Sequence, residues 1–372
     1  MEPIYSEVHS KFKLNGITFS KEDLKEVGYS LVKEGEQYEH NIGDFLLDWL
    51  NDSPEILVRT SGSTGTPKNI ALEKRFMVNS AVATGQFFGL EAGQTALLCL
   101  PADYIAGKMM LVRAMVLGLE LDYIESSSKP LEGILKSYDF CAMVPLQLEG
   151  SLDKIEQIKT LIVGGAPISD VLRNQLQDKS TAIFETYGMT ETVTHIAARK
   201  VNNLESTAVG ELNNGRVEHP FKTLPNISVS KDSRGCLVID SPNVSREPVA
   251  TNDFVELVSD VEFRWLGRFD NAINSGGIKL IPEQIEAKLV EIVDGRFFVA
   301  GLSDEKLGQK LVLIVEGDVD AKALLNKINS FKKLDKFEVP KQIYGIHKFK
   351  ETDSGKIKRT ETIRLISSIS RA

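Results

Sequence analysis

The chain has 372 residues, of which 26% are charged and 42% hydrophobic, and a formal net charge of −8. That length can hold two domains with a sizeable core, and the acidic balance argues against general binding to nucleic acid or an anionic membrane surface. Cys99, Cys141 and Cys236 fall at neither metal-ligand nor CxxC spacing, so buried thiols in a reducing cytoplasm are expected. The first residues lack the basic and apolar regions of a signal peptide. The longest apolar stretch, Met109 to Ile124, is broken by Arg113, Glu120 and Asp122 and is too polar to insert in a bilayer.

In chain order, Phe45-Leu46-Leu47-Asp48-Trp49-Leu50 reads as the end of an amphipathic helix. Ile56-Leu57-Val58 reads as a buried strand, with Asn69-Ile70-Ala71-Leu72 as its hairpin partner. Residues 74–89 carry helical spacing at Phe76, Val78, Val82, Phe87 and Phe88. Strands and helices then alternate: strand over 95–100, helix over 105–117, strand over 119–124 and a short helix over 131–135. Strands over 138–144 and 161–163, a helix over 170–177 and a strand over 182–184 follow. This alternation predicts a helix-covered, mostly parallel sheet, with ligands beyond the carboxyl ends of its strands. Gly164-Gly165-Ala166 and Tyr187-Gly188 would then meet at one crevice. From Val209 to Trp265 the pattern changes to β hairpins, with a turn at Gly235. The remainder, with helices over 282–290 and 321–331 and strands over 297–299 and 311–315, reads as a small α+β domain.

Thr60-Ser61-Gly62-Ser63-Thr64-Gly65-Thr66-Pro67-Lys68 packs five hydroxyl side chains, two glycines and a lysine into nine residues. Glycine can turn backbone N–H groups inward, and with hydroxyls and a lysine these form a polyphosphate cradle. A Ser/Gly surface turn is the plain alternative. A Walker A loop is excluded, because Asn69 follows Lys68 and the glycine spacing differs. Three later segments decide between them: Tyr187-Gly188-Met189-Thr190-Glu191-Thr192; Gly267-Arg268-Phe269-Asp270 with Ser275-Gly276-Gly277; and Ser354-Gly355-Lys356-Ile357-Lys358-Arg359. In this order, the four strings resemble the AMP-forming acyl/aryl-CoA synthetase superfamily.

The resemblance implies an α/β fold. A large N-terminal domain (1–266) has mostly parallel sheets and a β-rich subdomain; a hinge (267–270) leads to a mobile α+β lid (271–372). The region before the phosphate loop is shorter than in the superfamily, which implies reduced N-terminal layers. The implied reaction joins a carboxylic acid to coenzyme A with ATP and Mg²⁺ through an acyl-AMP. Thr60, Ser61, Gly62, Ser63, Thr64, Gly65, Thr66 and Lys68 would hold the phosphates. Gly164, Gly165 and Ala166 would wall the adenine, and Tyr187, beside Gly188, would lie against it. Thr190 would contact a phosphate, Glu191 the Mg²⁺ ion, and Asp253 and Arg268 the ribose. Asp270 would be the hinge, Ser275, Gly276 and Gly277 would face coenzyme A, and Lys356 would bridge the carboxylate and the α-phosphate.

Val163-Gly164-Gly165-Ala166-Pro167-Ile168-Ser169 and Gly267-Arg268-Phe269-Asp270-Asn271 resemble the superfamily branch that activates O-succinylbenzoate in menaquinone biosynthesis. That implies an aromatic dicarboxylate. The segment 100–107 departs from the superfamily, with Tyr104 where a histidine usually stands. A second carboxylate would need a cation or donor, and Tyr104, Lys108 and His195 are the candidates. A solvated face is the plain alternative for Lys108 and is the expectation for Arg113; for His195 it is a satisfied strand residue. Rival readings are another aryl- or acyl-CoA ligase, a stand-alone adenylation enzyme, and a catalytically silent nucleotide-binding protein. Retention of Lys68, Glu191, Asp253 and Lys356 opposes the last.

Overall fold

The computed structural model describes residues 7–59, 69–203, 211–213, 216–351 and 357–369. The predicted phosphate loop, residues 60–68, and Lys356 lie outside the described residues. The chain divides into two compact units. One comprises Met1–Ser230, Val238–Val249 and Val258–Phe263, and the other Lys231–Leu237, Ala250–Leu257 and Arg264–Ala372.

In the first unit, β1 (Lys13–Leu14) and β2 (Ile17–Thr18) precede helices α1 (Lys21–Glu34) and α2 (Gln37–Leu50). A reciprocal pair of hydrogen bonds between Ser20 and Asp23 starts α1. α2 buries Ile42, Phe45, Leu46, Trp49 and Leu50, the amphipathic face read from the sequence. β3 (Glu55–Arg59) and β4 (Asn69–Glu73) form the expected hairpin, with Ile56 opposite Leu72. α3 (Lys74–Phe88) ends where Gly89 turns left-handed at φ 64°.

The alternating region follows: β5 (Thr95–Leu98), α4 (Ile105–Leu117), β6 (Glu120–Tyr123), β7 (Tyr138–Met143), α5 (Pro145–Gly150), β8 (Ile158–Val163), α6 (Asp170–Gln175) and β9 (Ala182–Gly188). Its strands run parallel in the order β6-β5-β7-β8-β9. β1 adds to β6 in parallel, and β10 (His195–Lys200) adds to β9 antiparallel. After the hairpin β11 (Glu211–Asn213) and β12 (Arg216–Glu218), β13 (Phe221–Thr223) pairs with β10. β14 (Ser228–Lys231), β15 (Cys236–Asp240), β16 (Val249–Leu257) and β17 (Glu262–Arg268) are the predicted hairpin strands, with Gly235 turning at φ 86°.

The strands of the parallel sheet bury both faces. Leu98, Phe140 and Ile162 join a core with α2, α3 and α4, while Leu97, Cys141, Leu161 and Val163 join another with α5 and α6. All three cysteines are buried free thiols, as expected. Cys99 and Cys141, distant in sequence, place their Sγ atoms 3.8 Å apart. The short helix expected over 131–135 is instead a turn, because Gly133 adopts φ 79° and breaks any helical run.

In the second unit, β18 (Ile273–Ser275) and β19 (Ile278–Leu280) form a tight hairpin, followed by α7 (Pro282–Leu289). β20 (Phe297–Asp304) pairs antiparallel with β21 (Gly308–Glu316) over eight residue pairs. After α8 (Ala321–Asn329), β22 (Gln342–Ile346) adds to β21 in parallel, and α9 (Arg359–Ile369) closes the described chain. Val299, Leu311 and Leu313 pack with Ile285, Leu289 and Ile328, whereas Phe298, Val312 and Ile314 pack with Phe349 and Ile366. This is the period of two that a sheet covered on both sides requires.

Behind the parallel sheet, the fully buried Asn202 ties three segments together. Its Oδ1 accepts from Ile183 N–H (3.0 Å), and its Nδ2 donates toward the carbonyls of Leu176 (3.2 Å), Lys179 (3.1 Å) and Thr181 (2.9 Å). Asn202→Ala strands a buried N–H and several carbonyls. The urea unfolding free energy is expected to fall by about 3 kcal/mol.

Candidate functional site

The parallel strands end at one edge, and β8 and β9 carry the predicted nucleotide segments there. Gly164 follows β8, and a Cβ on it would lie 2.6 Å from Thr186 Oγ1; Gly165 adopts φ 83°. A Cβ on Gly188 would lie 2.2 Å from the Thr194 carbonyl. Both sites therefore need glycine for close approach rather than for looseness. The Tyr187 ring meets Phe263 edge-on at 5.2 Å and Phe221 at 5.9 Å.

After β9 the chain makes the short turn Thr190–Thr192, with Glu191 exposed and Thr192 buried. Val193 then adopts φ 68° and ψ −60°, and Thr194 N–H donates to the Thr192 carbonyl at 2.8 Å. This is a γ-turn of the strained, positive-φ kind on a fully buried β-branched residue. Such strain clusters at functional sites.

In the second unit, Asp253 on β16 is buried. It accepts from Trp265 Nε1 at 3.1 Å and lies 3.7 Å from Arg268 Nε. Arg268 donates to Asp270 at 2.9 Å, and Asn252 Nδ2 approaches both Asp270 oxygens at 3.4 Å. The structure thus brings Asp253, Arg268 and Asp270 into one cluster. Gly276 (φ 58°) and Gly277 (φ 83°) make the hairpin turn after Ser275, a geometry in which both central residues need positive φ.

The candidates for a second carboxylate separate. Tyr104 is largely exposed and starts α4. Lys108 is buried, with its ammonium 5.0 Å from the centre of the Phe45 ring on α2. Burial lowers its pKa, against the pull of Asp48, Asp103 and Asp44. His195 and Arg113 meet in the interior. The expectation of a solvated Arg113 is wrong, because α4 is apolar on all sides and leaves no face for water.

Arg113 donates to His195 Nδ1 at 3.3 Å and to Thr84 Oγ1 at 3.4 Å. A guanidinium only donates, so His195 accepts at Nδ1 and carries its proton on Nε2, 3.4 Å from Thr84 Oγ1. One turn earlier on α3, the buried Ser80 Oγ has no partner among the described residues. Burial pushes the Arg113 pKa down to about 9. Burial and then the Arg113 charge hold His195 well below the usual histidine range. Among the described residues no carboxylate pairs with Arg113. The sequence did signal this cluster, since a lone arginine amid Met-Leu-Val and Ala-Met-Val has nowhere to be solvated. Glu185, between Phe184 and Thr186 on β9, gave the same kind of signal and was not read.

Among the described residues no three His, Cys, Asp or Glu side chains gather as a metal site. No described helix is long and apolar enough to cross a membrane.

Residues 28–246 match the AMP-binding enzyme family. A solved acyl-CoA synthetase (AMP-forming)/AMP-acid ligase II-like protein from Dyadobacter fermentans is 35% identical, covers 92% of this chain and 98% of its own, and superposes with a TM-score of 0.61. The chain belongs to the AMP-binding enzyme family, as the motif resemblance to AMP-forming acyl-CoA synthetases implies. A 2-succinylbenzoate–CoA ligase from Bacillus cytotoxicus is 26% identical over 350 residues, 83% of this chain and 70% of that protein. The o-succinylbenzoate CoA synthetase of Bacillus subtilis, solved with its acyl-adenylate intermediate, is 20% identical, covers 92% of this chain and 81% of its own, and has a TM-score of 0.68. At that identity it attests the fold alone.

The buried His195 has a measurable consequence. In the unfolded chain its ring takes up a proton near pH 6.5, whereas the folded ring stays neutral to lower pH. Its contribution to stability is therefore present above pH 6.5 and lost as pH falls toward the depressed folded pKa. Unfolding titrations at pH 7.5 and 5.5 are expected to show lower stability at the acid value, by about 1.4 kcal/mol over the two units. His195→Asn is expected to reduce that difference.

Proposed function

We propose that this protein is a carboxylate–CoA ligase acting through an acyl-AMP, and that its acid is O-succinylbenzoate. The ordered nucleotide strings support the reaction, and the buried guanidinium of Arg113, which no carboxylate pairs among the described residues, supports the acid. A substrate with two carboxylates can present one to ATP and leave the other to neutralise Arg113. Ser80, whose hydroxyl has no partner among the described residues, can donate to that carboxylate, and neutral His195 stands beside Arg113. Arg113 thus takes the anchoring role first sought in Lys108, Tyr104 and His195.

In the first half-reaction a carboxylate oxygen of the acid attacks the α-phosphorus of ATP and pyrophosphate leaves. An anion is brought onto a polyanion, so the site needs cations and aligned donors more than a base. In this reading residues 60–66 and Lys68 cradle the departing phosphates, Thr190 donates to a phosphate, and Lys356 bridges the two anions. Gly164, Gly165, Ala166 and Tyr187 bound the adenine, and Asp253 with Arg268 takes the ribose.

Glu191 suits a Mg²⁺ ion that arrives with the nucleotide: it is exposed on a short turn and offers one hard oxygen, and Mg²⁺ takes one or two carboxylates beside phosphates and water. Bound there, the ion would neutralise phosphate charge. In the second half-reaction the thiol of coenzyme A adds to the acyl carbonyl and AMP departs. The Ser275–Gly277 turn faces that thiol after rotation at Asp270 of a lid spanning 271–372, hinged at 267–270 to a domain spanning 1–266.

Two measurements test this. Carboxylate-dependent ATP–pyrophosphate exchange is expected with O-succinylbenzoate and not with benzoate or short fatty acids, and Lys356→Ala is expected to reduce it by about 100-fold or more. Exchange with another acid alone would overturn the substrate, and AMP binding with no exchange for any acid would favour a silent nucleotide binder. Separately, Arg113→Met is expected to raise KM for O-succinylbenzoate by about 100-fold, the cost of leaving one carboxylate unpaired. KM for ATP should stay within about two-fold, and the fold should hold, since a buried charge gives way to an apolar chain of similar length. Equal effects on both KM values would remove the anchoring role.

A further inference from the structure

Glu185 projects from the middle of β9 with 5% of its side chain exposed. Its Oε1 accepts from Ile168 N–H at 3.0 Å. Its Oε2 takes a bond from Arg173 at 3.0 Å and from two nitrogens of Arg199 at 2.8 and 2.7 Å. Burial alone would raise the pKa of this carboxyl; Arg199, Arg173 and the Ile168 amide outweigh burial and hold it below the usual range.

The two oxygens serve different parts of the crevice. Ile168 ends the strap that begins at Gly164, and Ser169 beside it caps α6, which carries Arg173. The start of the strap is fixed independently: Gly164 N–H donates to the Met143 carbonyl at 3.1 Å, and Thr186 Oγ1 donates to the Val163 carbonyl at 3.1 Å. Glu185 therefore sets where the far end of the Gly164–Ala166 segment lies. Arg199 rests 4.5 Å from the centre of the Phe221 ring. Phe221 stacks on Phe263 at 5.6 Å, and both rings touch Tyr187.

We propose that Glu185 is the positioning residue of the nucleotide crevice, fixing the Gly164–Ala166 wall through Ile168 and the aromatic support of Tyr187 through Arg199. This role rests on the nucleotide reading given above. Buried ion clusters gain little stability over apolar packing of the same volume. What this one supplies is direction: a carboxylate on one strand holds two walls in register, and neither wall is fixed so by its own sequence.

Glu185→Asp keeps the charge but withdraws the carboxylate by one methylene. It is expected to weaken AMP binding, measured by calorimetry, by about ten-fold, the scale of one charge-assisted hydrogen bond. KM for ATP should rise by the same factor, KM for the acid should stay within about two-fold, and the Ile168 amide should exchange hydrogen faster. Should Glu185→Asp fail to fold, Arg199→Lys gives the second reading, with the same split between the two KM values. A folded variant with wild-type AMP affinity and KM for ATP overturns the proposal. So do KM values for both substrates that rise together in step with lost thermal stability, as a merely structural residue would give. Failure of the wild-type protein to bind AMP at all would overturn the nucleotide reading itself, and is distinguished by needing no variant.

Discussion

Parallel strand pairing is the constraint from which the rest follows. A strand that must pair in parallel cannot return through a tight turn, so each of β5, β7 and β8 is followed by a crossover. Every carboxyl end then falls on one edge of the sheet. The sheet interior is mostly apolar on both faces, so polar chemistry emerges where strands stop or where a helix carries it inward, with the ion cluster at Glu185 on β9 as the exception. The Gly164 strap and the Thr190–Thr192 turn are the first case. Arg113 on α4 is the second.

Two buried ionic groups and one half-buried one show how the fold treats charge. Glu185 is held by two arginines and a backbone amide. Glu286 is held by both terminal nitrogens of Arg359 at 2.8 Å and by the Val299 amide at 2.7 Å, although burial still raises its pKa. Arg113 has only a histidine, a threonine and a thioether sulfur among the described residues. Isolated charges are costly to bury, and an apolar side chain of similar length would pack in α4 without that cost. The exception fits the proposed reading, in which the partner of this charge is a ligand. That argument supports a second carboxylate on the acid independently of any relative's name.

The fold was largely legible in the sequence because its signals are local. The β3–β4 hairpin, α3 and the strands of the parallel sheet follow from apolar period and from glycine, and α4 from a long apolar run. The nucleotide strings were legible for a related reason: Gly164, Gly165, Gly188, Gly276 and Gly277 occupy backbone positions that favour glycine, by close approach or by positive φ, so the sequence there is narrowly constrained. Arg113 was expected on a solvated face and Glu185 drew no expectation, because a charge ordinarily seeks water. Each sits in an element that is apolar around it, and the sequence shows the charge but not the partner that admits it to the interior. Gly133 misled in the other direction, since Leu131 to Leu135 has helical spacing but a left-handed residue within it.

The γ-turn at Val193 connects these observations. A non-glycine residue in that conformation costs on the order of 1–3 kcal/mol and persists only where its surroundings over-determine it. Here Val193 is fully buried, Thr192 on one side bonds within the preceding turn, and β10 on the other resumes pairing with β9 through a register shift between His195 and Ala197. The strain reverses the chain within so few residues that half-buried Thr190, exposed Glu191 and buried His195 stand at the two ends of one tight turn. A relaxed loop could make the same reversal, but its ends would move independently. With the turn locked, the side chains proposed to face the phosphates and those around Arg113 share a fixed frame. That is what the proposed reaction needs, since it must bring one carboxylate against a polyphosphate while the other stays anchored in the interior.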